Sequence, residues 1–361
     1  MEELKIDSLQ AEYKVYIDNS FEEFKTYIYE CYGRYSKKIF IVTDDRVASF
    51  HKNIIDYFRK DLTAKVFTIK NGEESKNYDT ISDVYKFLTD NGADRDSLLI
   101  AFGGGVVGDL TGFAAATYMR GIGFINIPTT LMSQVDSSIG GKVGYNHNGI
   151  KNIIGAFYNP EAVYISTHFL KTLEKQELLD GLGEILKYGL IRNEALLDFI
   201  ESNYSSILSL EEDSLIYVVK ECLSIKAETI AEDYKDIGFR NILNFGHTIG
   251  HGIEIDSNYT ITHGISVALG MLAALKLSEE KLQLPPQIYS RIENLYIKLG
   301  IPIRYKVDNF ASFLYAIKHD KKNSDGIRFV LLEDIGLCRI KVVVSEKDIL
   351  SALQRSICNV K

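Results

Sequence analysis

The sequence predicts an α/β chain in two parts: a parallel sheet flanked by helices over residues 1–170, then a mainly α-helical domain over residues 171–361. Three observations predict it. Short β-rich runs alternate with helical patterns through the first half, the signature of a parallel sheet with helices on both faces. A glycine-rich turn, Gly103-Gly104-Gly105-Val106-Val107-Gly108, stands between a strand-like and a helix-like run. From about Phe169 to Glu280, β-branched runs nearly vanish and helical periodicity takes over. At 361 residues the chain can hold two domains with separate cores. A cleft between domains is an expected ligand site.

Taken in order, KIFIVTDD (38–45) reads as a buried strand ending in acidic residues, 46–60 as helix and AKVFTIK as strand. After the loop NGEESK, residues 77–91 carry a helical pattern. SLLIAF is a strand, GGGVVGD the glycine turn, LTGFAAATYM a helix of small residues and GFINIP a further strand. In the second half, RFVLL and CRIKVVV are short strand-like runs before a last helix near Lys347–Arg355.

Composition excludes several kinds of function. Hydrophobic content of 46% with 25% charged residues is ordinary for a globular protein. The net charge of −8 argues against nucleic acid or an anionic membrane as partner. Any cationic site must then be a local cluster, which suits a small anionic substrate. Cys31, Cys222, Cys338 and Cys358 are scattered and read as reduced thiols, so a cytoplasmic location is expected. No signal peptide and no membrane span are expected.

The glycine turn matches G-x-G-x-x-G in the context that a dinucleotide site needs, because bare backbone must approach a pyrophosphate at a helix N-terminus. This makes the first domain Rossmann-like. The ribose-binding acid expected about 20 positions later is missing, and Asp44 or Asp45 could serve from an earlier strand. The competing reading is a turn that only allows close helix–sheet packing. Asp109, just after the turn, suits a neutral ligand group or a helix cap better than phosphate.

In the second half, RNILNFGHTIGHGIEIDSNYTITHGISVALGM stands out. Taken as a helix, its first part puts Arg240, Asn244, His247, His251 and Glu254 on one stripe about 80° wide, flanked by apolar residues. His263 opens the next helical run, so three of the seven histidines share one segment. Hydrogen-bonded core histidines are the plain reading. A metal site is the sharper one, and His247 with His251 at i and i+4 is the pair that spacing suggests.

Residues 126–160 are rich in Gly, Ser, Thr and Asn, and read as a long structureless loop, usually a functional feature. Lys142, Lys151 and Asn152 could cradle phosphate or carboxylate, with Arg120 as a bidentate fork.

GGGVVGDLTGFAAATYMRG, IPTTLMSQVDSSIGGKVGYN, GLGEILKYGLI, LNFGHTIGHGIE and HGISVALGM resemble, in order, the motifs of the 3-dehydroquinate synthases. These are sugar phosphate cyclases with a glycerol-dehydrogenase-like fold. The resemblance covers about Asp44 to HDKKNSDG. It implies zinc, with Co2+ as a substitute, on Glu184, His247 and His263. That replaces the i, i+4 pair and leaves His251 to move protons. It implies a catalytic set of Lys142, Lys187, Asn244, His251 and Asp136. Lys226 and Arg240 would hold a substrate carboxylate. Lys142, Asn152 and Arg120 would hold its phosphate, with Arg120 open to coming from the partner in an expected homodimer. Lys321 or Lys322 would close the site. NAD would touch Asp44, Glu73, Lys76, Gly104, Gly105, Val106, Asp109, Thr129, Thr130, Lys142, Lys151, Phe169, Thr172, Leu173 and Glu177.

The implied substrate is 3-deoxy-D-arabino-heptulosonate 7-phosphate. Transient oxidation at C5, β-elimination of phosphate, return of the hydride, ring opening and an aldol closure give 3-dehydroquinate, a shikimate-pathway intermediate in aromatic amino acid biosynthesis. The rivals are another sugar phosphate cyclase and an NAD- and metal-dependent polyol dehydrogenase. The chain departs from the family pattern at Ile265, where Glu is usual, at Gly183, where Ala is usual, and in TLEKQE.

Overall fold

A computed structural model describes residues 2–8, 11–18, 20–31, 38–307, 309–320 and 327–358. Lys321 and Lys322 lie outside these. The described residues form two compact units. One comprises Met1–Leu173 with Leu215–Ala231, the other Glu174–Ser214 with Glu232–Lys361.

The first unit holds β1 (Glu2–Ser8), β2 (Ala11–Asp18), α1 (Glu22–Cys31), β3 (Ile39–Asp44), α2 (Asp45–Phe50), α3 (Lys52–Lys60) and β4 (Lys65–Ile69). Then come α4 (Tyr78–Asp90), β5 (Leu98–Gly103), α5 (Gly105–Thr117), β6 (Gly123–Pro128), β7 (Lys142–His147), β8 (Ile150–Phe157) and β9 (Ala162–Ser166). Seven strands make one sheet in the order β1-β2-β9-β6-β5-β3-β4. All neighbours in it are parallel except β1 and β2. The strands read as continuous apolar runs because both faces are covered. Ile39, Ile41, Leu98, Ile100 and Phe102 face one core, and Phe40, Val42, Leu99 and Ala101 face the other. This is the two-residue period of a strand. Strand order reverses between β3 and β5, and ligands of such sheets bind at the carboxyl ends flanking that switch.

The second unit is mainly helical: α6 (Lys175–Arg192), α7 (Glu194–Leu208), α9 (His247–Asp256), α10 (His263–Leu282), α11 (Pro286–Leu299), α12 (Phe310–Asp320) and α13 (Glu346–Arg355). It also holds a hairpin of β10 (Ile327–Asp334) and β11 (Leu337–Val344). Between α7 and α9 runs α8 (Glu212–Glu232), whose stretch Leu215–Ala231 clusters with the first unit.

Three sequence expectations change. The helix expected over 46–60 is two helices meeting at His51. Residues 126–160 are not structureless: β6 ends there, Ser133–Ser137 form a π-helical turn, and β7 pairs with β8 as a hairpin. Most of β8 is exposed, so no buried apolar pattern marks it. The single helix expected over 240–254 breaks as well. Phe239–Asn244 form a 3-10 turn, Gly246 adopts a left-handed φ of 80°, and α9 starts at His247. Arg240 and Asn244 therefore share no α-helical stripe with the histidines.

Candidate active site

In the first unit the glycine turn lies where β5 meets α5. Gly104 caps the helix with extended backbone. A Cβ on Gly104 would lie 3.1 Å from Thr130 Cγ2, and one on Gly105 would lie 3.1 Å from Ser137 Oγ. Asp44 ends β3, one register step beyond the Thr43–Phe102 pair. Its carboxylate caps α2 by accepting from the Val47 amide at 2.8 Å, and burial raises its pKa. Thr129 donates its amide to the Gly103 carbonyl at 3.0 Å. The Thr129 Oγ1 is buried with no hydrogen-bond partner among the described residues. Small residues, helix N–H groups and an orphaned hydroxyl at the sheet's switch point fit a dinucleotide.

Beside the turn is a polar knot built on the buried Lys76. Lys76 Nζ lies 2.5 Å from Asp109 Oδ2 and donates to Asn152 Oδ1 at 2.5 Å. Burial works to lower the Lys76 pKa, but Asp109 and Glu73 outweigh it and raise it. Asn146 ties the knot to its surroundings, donating to Glu73 Oε1 at 2.7 Å and accepting from the Asn152 amide at 2.8 Å. Asn152 is left-handed, with φ 53°. Lys142 begins β7, exposed, and Lys151 is half-buried on β8. Arg120 is exposed with φ 71°.

Asp136 sits on the π-helical turn, paired with Lys226 of α8 at 2.8 Å. Lys226 also donates to the Asp136 carbonyl at 2.6 Å. Val106, within the glycine turn, is in the first turn of α5 and half-buried. Phe169 is wholly buried, packed against Phe102 and His51. Thr172 Oγ1 donates to the Phe169 carbonyl at 2.9 Å and lies 3.3 Å from His51 Nε2. Leu173 is half-buried. Glu177 lies in the second unit, its Oε2 accepting from the Glu174 amide at 2.9 Å in the capping box of α6.

The second unit brings three candidate ligands together, one carboxylate and two imidazoles. Glu184 is fully buried on α6, His247 is the first residue of α9 and His263 the first of α10. Glu184 Oε1 lies 3.6 Å from His247 Nε2 and 3.5 Å from His263 Nε2. Tetrahedral ligands about 2.1 Å from zinc stand about 3.4 Å apart, so these separations fit. Each ring is also held from behind. His247 Nδ1 lies 3.2 Å from the Phe245 carbonyl, and His263 Nδ1 lies 3.3 Å from Glu254 Oε2. A bond at Nδ1 turns the Nε2 lone pair toward a metal.

Burial pushes the His247 pKa down to about 3, which keeps the ring neutral. Burial would lower His263 too, but Glu184 and Glu254 outweigh it and raise it to about 10. Lys187, one turn on, is ion-paired with Glu184. His251 is not one of these three but lies against them, its ring centroid 5.6 Å from that of His247 and 5.9 Å from that of His263, and it groups with Glu254 and His263.

Arg240 is 2% exposed. Its Nη1 donates to the Tyr234 carbonyl at 2.8 Å and its amide to Asp233 Oδ2 at 3.1 Å. Its Nε is buried with no partner among the described residues. Asn244 ends the 3-10 turn, half-buried. Sequence reasoning passed over Asp180, four residues before Glu184 on the same face of α6. The i, i+4, i+7 spacing of Asp180, Glu184 and Lys187 was a visible signal, but its partner on α10 was not.

No described helix is long and apolar enough to cross a membrane. Solved structures similar to this chain include a 2-epi-5-epi-valiolone synthase from Streptomyces hygroscopicus, with NAD+ and Zn2+ bound (TM-score 0.87, 24% identity, 96% of each chain covered). Another is a 2-deoxy-scyllo-inosose synthase complexed with carbaglucose-6-phosphate, NAD+ and Co2+ (TM-score 0.88, 24% identity, 99% of this chain and 100% of that one). At these identities the likeness establishes the fold. Sequence relatives are nearer. A 3-dehydroquinate synthase of Clostridium tetani is 53% identical over 99% of this chain and 95% of its own length. One of Acetivibrio thermocellus is 41% identical over 92% of each. Residues 66–180 match the family model for the 3-dehydroquinate synthase N-terminal region, and 181–323 that for the C-terminal region. With the two models matched over consecutive stretches of the chain and a relative so similar over nearly its whole length, the chain belongs to the 3-dehydroquinate synthase family.

Proposed function

We propose that the protein converts 3-deoxy-D-arabino-heptulosonate 7-phosphate into 3-dehydroquinate and phosphate, as a lyase of aromatic amino acid biosynthesis in the cytoplasm. The observation that carries this, in a chain of that family, is the meeting of Glu184 with the Nε2 atoms of His247 and His263. Glu184, His247 and His263 would hold the metal. Zn2+, or Co2+ in its place, would supply Lewis acidity toward substrate hydroxyls. NAD would take a hydride and give it back, so it is not consumed.

The remaining work belongs to the chain's own groups. Lys187 orients the Glu184 carboxylate through their ion pair. Arg240 is a buried cation with an unused Nε donor, which suits a substrate carboxylate. Lys226 serves the same carboxylate and Asp136 orients it. Lys142, Asn152 and Arg120 bind the phosphate and stabilise charge as it leaves. His251, together with Asn244, transfers protons at the ring. Asp44, Thr129, Thr130 and the glycine turn hold the nucleotide. Lys321 or Lys322 covers the substrate, and the functional assembly is a homodimer.

Substrate supplied with trace NAD tests this. Phosphate should be released many times over per NAD, without NADH accumulating. NADH growth in step with substrate loss would identify a polyol dehydrogenase, and activity only on a sugar phosphate lacking a carboxylate would identify a different cyclase. For the metal, Glu184→Ala and His263→Ala should lose bound zinc. His251→Ala should keep it while kcat falls by about 100-fold or more. Loss of metal in the His251 variant, with retention in the His263 variant, would restore the i, i+4 pair.

A further inference from the structure

The start of α10 is stabilised in an unusual way. His263 is its first residue, and Thr262 before it makes no side-chain cap bond. A helix leaves its first amides without intrahelical partners. Here those of Gly264 and Ile265 are satisfied from another helix: Asp180 Oδ1 accepts them at 2.6 and 3.2 Å. That is the pattern of an N-cap side chain, delivered by α6 rather than by the preceding residue.

The two helices also touch backbone to backbone at this point. A Cβ on Gly264 would lie 1.8 Å from the Asp180 carbonyl oxygen, and one on Gly183 would lie 2.2 Å from that of Gly264. Asp180 and Glu184 are one helical turn apart on α6, and His263 adjoins Gly264. The clasp and the metal ligands are thus separated by four residues on one helix and by one on the other.

Resting on the metal-centre reading above, we propose that Asp180 is a positioning residue. By tying the first turn of α10 to α6, it fixes the backbone under His263 and with it the spacing between His263 Nε2 and Glu184 Oε1. Helix ends fray unless held. Glu254 orients the His263 ring, and Asp180 ties the main chain beside it to α6.

The test is metal affinity by chelator competition, together with the absorption spectrum of the Co2+-loaded protein. The unaltered protein must bind the metal and Glu184→Ala must lose it; failure at this step is failure of the metal-centre reading. With that satisfied, Asp180→Ala should weaken Zn2+ binding about tenfold or more and alter the Co2+ bands. Asp180→Asn keeps an oxygen that can accept both amides, so it should bind within about threefold of the unaltered protein with the same spectrum. Ser345→Ala removes the cap of α13; it should lower the melting temperature and leave metal affinity alone. If Asp180→Ala aggregates, Asp180→Ser, whose hydroxyl is one bond shorter, takes its place. Unchanged affinity and spectrum in the Ala or Ser variant would overturn the proposal. So would an Asn variant as weak as the Ala variant, or a Ser345 variant that loses metal as well.

Discussion

His51 stands where α2 gives way to α3, 4% exposed, its ring against Phe102 and Phe169. Burial, reinforced by His168, lowers its pKa from 6.5 to about 4. The unfolded chain therefore takes up a proton first as pH falls. The stability gained by keeping the ring neutral is fully present above pH 6.5 and is lost as pH falls toward 4, by at most about 1.4 kcal/mol per pH unit. Urea unfolding of the unaltered protein at several pH values through that window should show the slope, and His51→Gln should flatten it. An equal slope in the variant would assign the proton to another group. The chemistry of single residues was unevenly legible in the sequence. His247, His251 and His263 announced themselves by clustering. Glu184 did not, because a carboxylate in an apolar helix gives no sign of which distant histidines it meets. Only the resemblance in GLGEILKYG pointed to it.

Between α9 and α10 the helices meet through glycines. A Cβ on Gly270 would lie 2.1 Å from the Gly246 carbonyl and 2.8 Å from the Gly250 amide. Both contacts are backbone, which cannot swing aside as a side chain can. Gly270→Ala should destabilise the protein by about 1–3 kcal/mol. Because α9 carries His247 and α10 carries His263, it should also reduce bound metal. Denaturant melts and metal content would check both, and normal values would mean the helices separate without strain. This crossing also explains an element the sequence concealed. Periodicity extended one helix from Arg240 to Glu254, but Gly246 takes a left-handed φ of 80°, and a hydrophobic pattern carries no record of backbone sign. The sheet was more readable. Strands β3, β5 and β6 are covered on both faces, so each appears as an unbroken apolar run. The β7–β8 hairpin, largely exposed along β8, had no such pattern to show.

At the scale of the whole molecule, the chain passes between its units after Leu173, after Ser214 and after Ala231. Leu215, Val218, Val219, Cys222 and Leu223 of α8 are each at most 1% exposed. Lys226 and Lys220 of the same stretch pair with Asp136 at 2.8 Å and Glu2 at 2.5 Å. A fragment ending at Leu173 lacks this helix and the buried apolar residues it contributes to the first unit. It should aggregate or stay loosely folded by near-ultraviolet circular dichroism, and a native-like spectrum would show that the helix is dispensable. The same connectivity means that the peptide bond between Leu173 and Glu174 is not what keeps the molecule in one piece. Made from two genes divided there, the longer product would carry in its own middle the helix that the shorter one lacks. Each would be the other's missing part, and activity would return only where the two polypeptides meet.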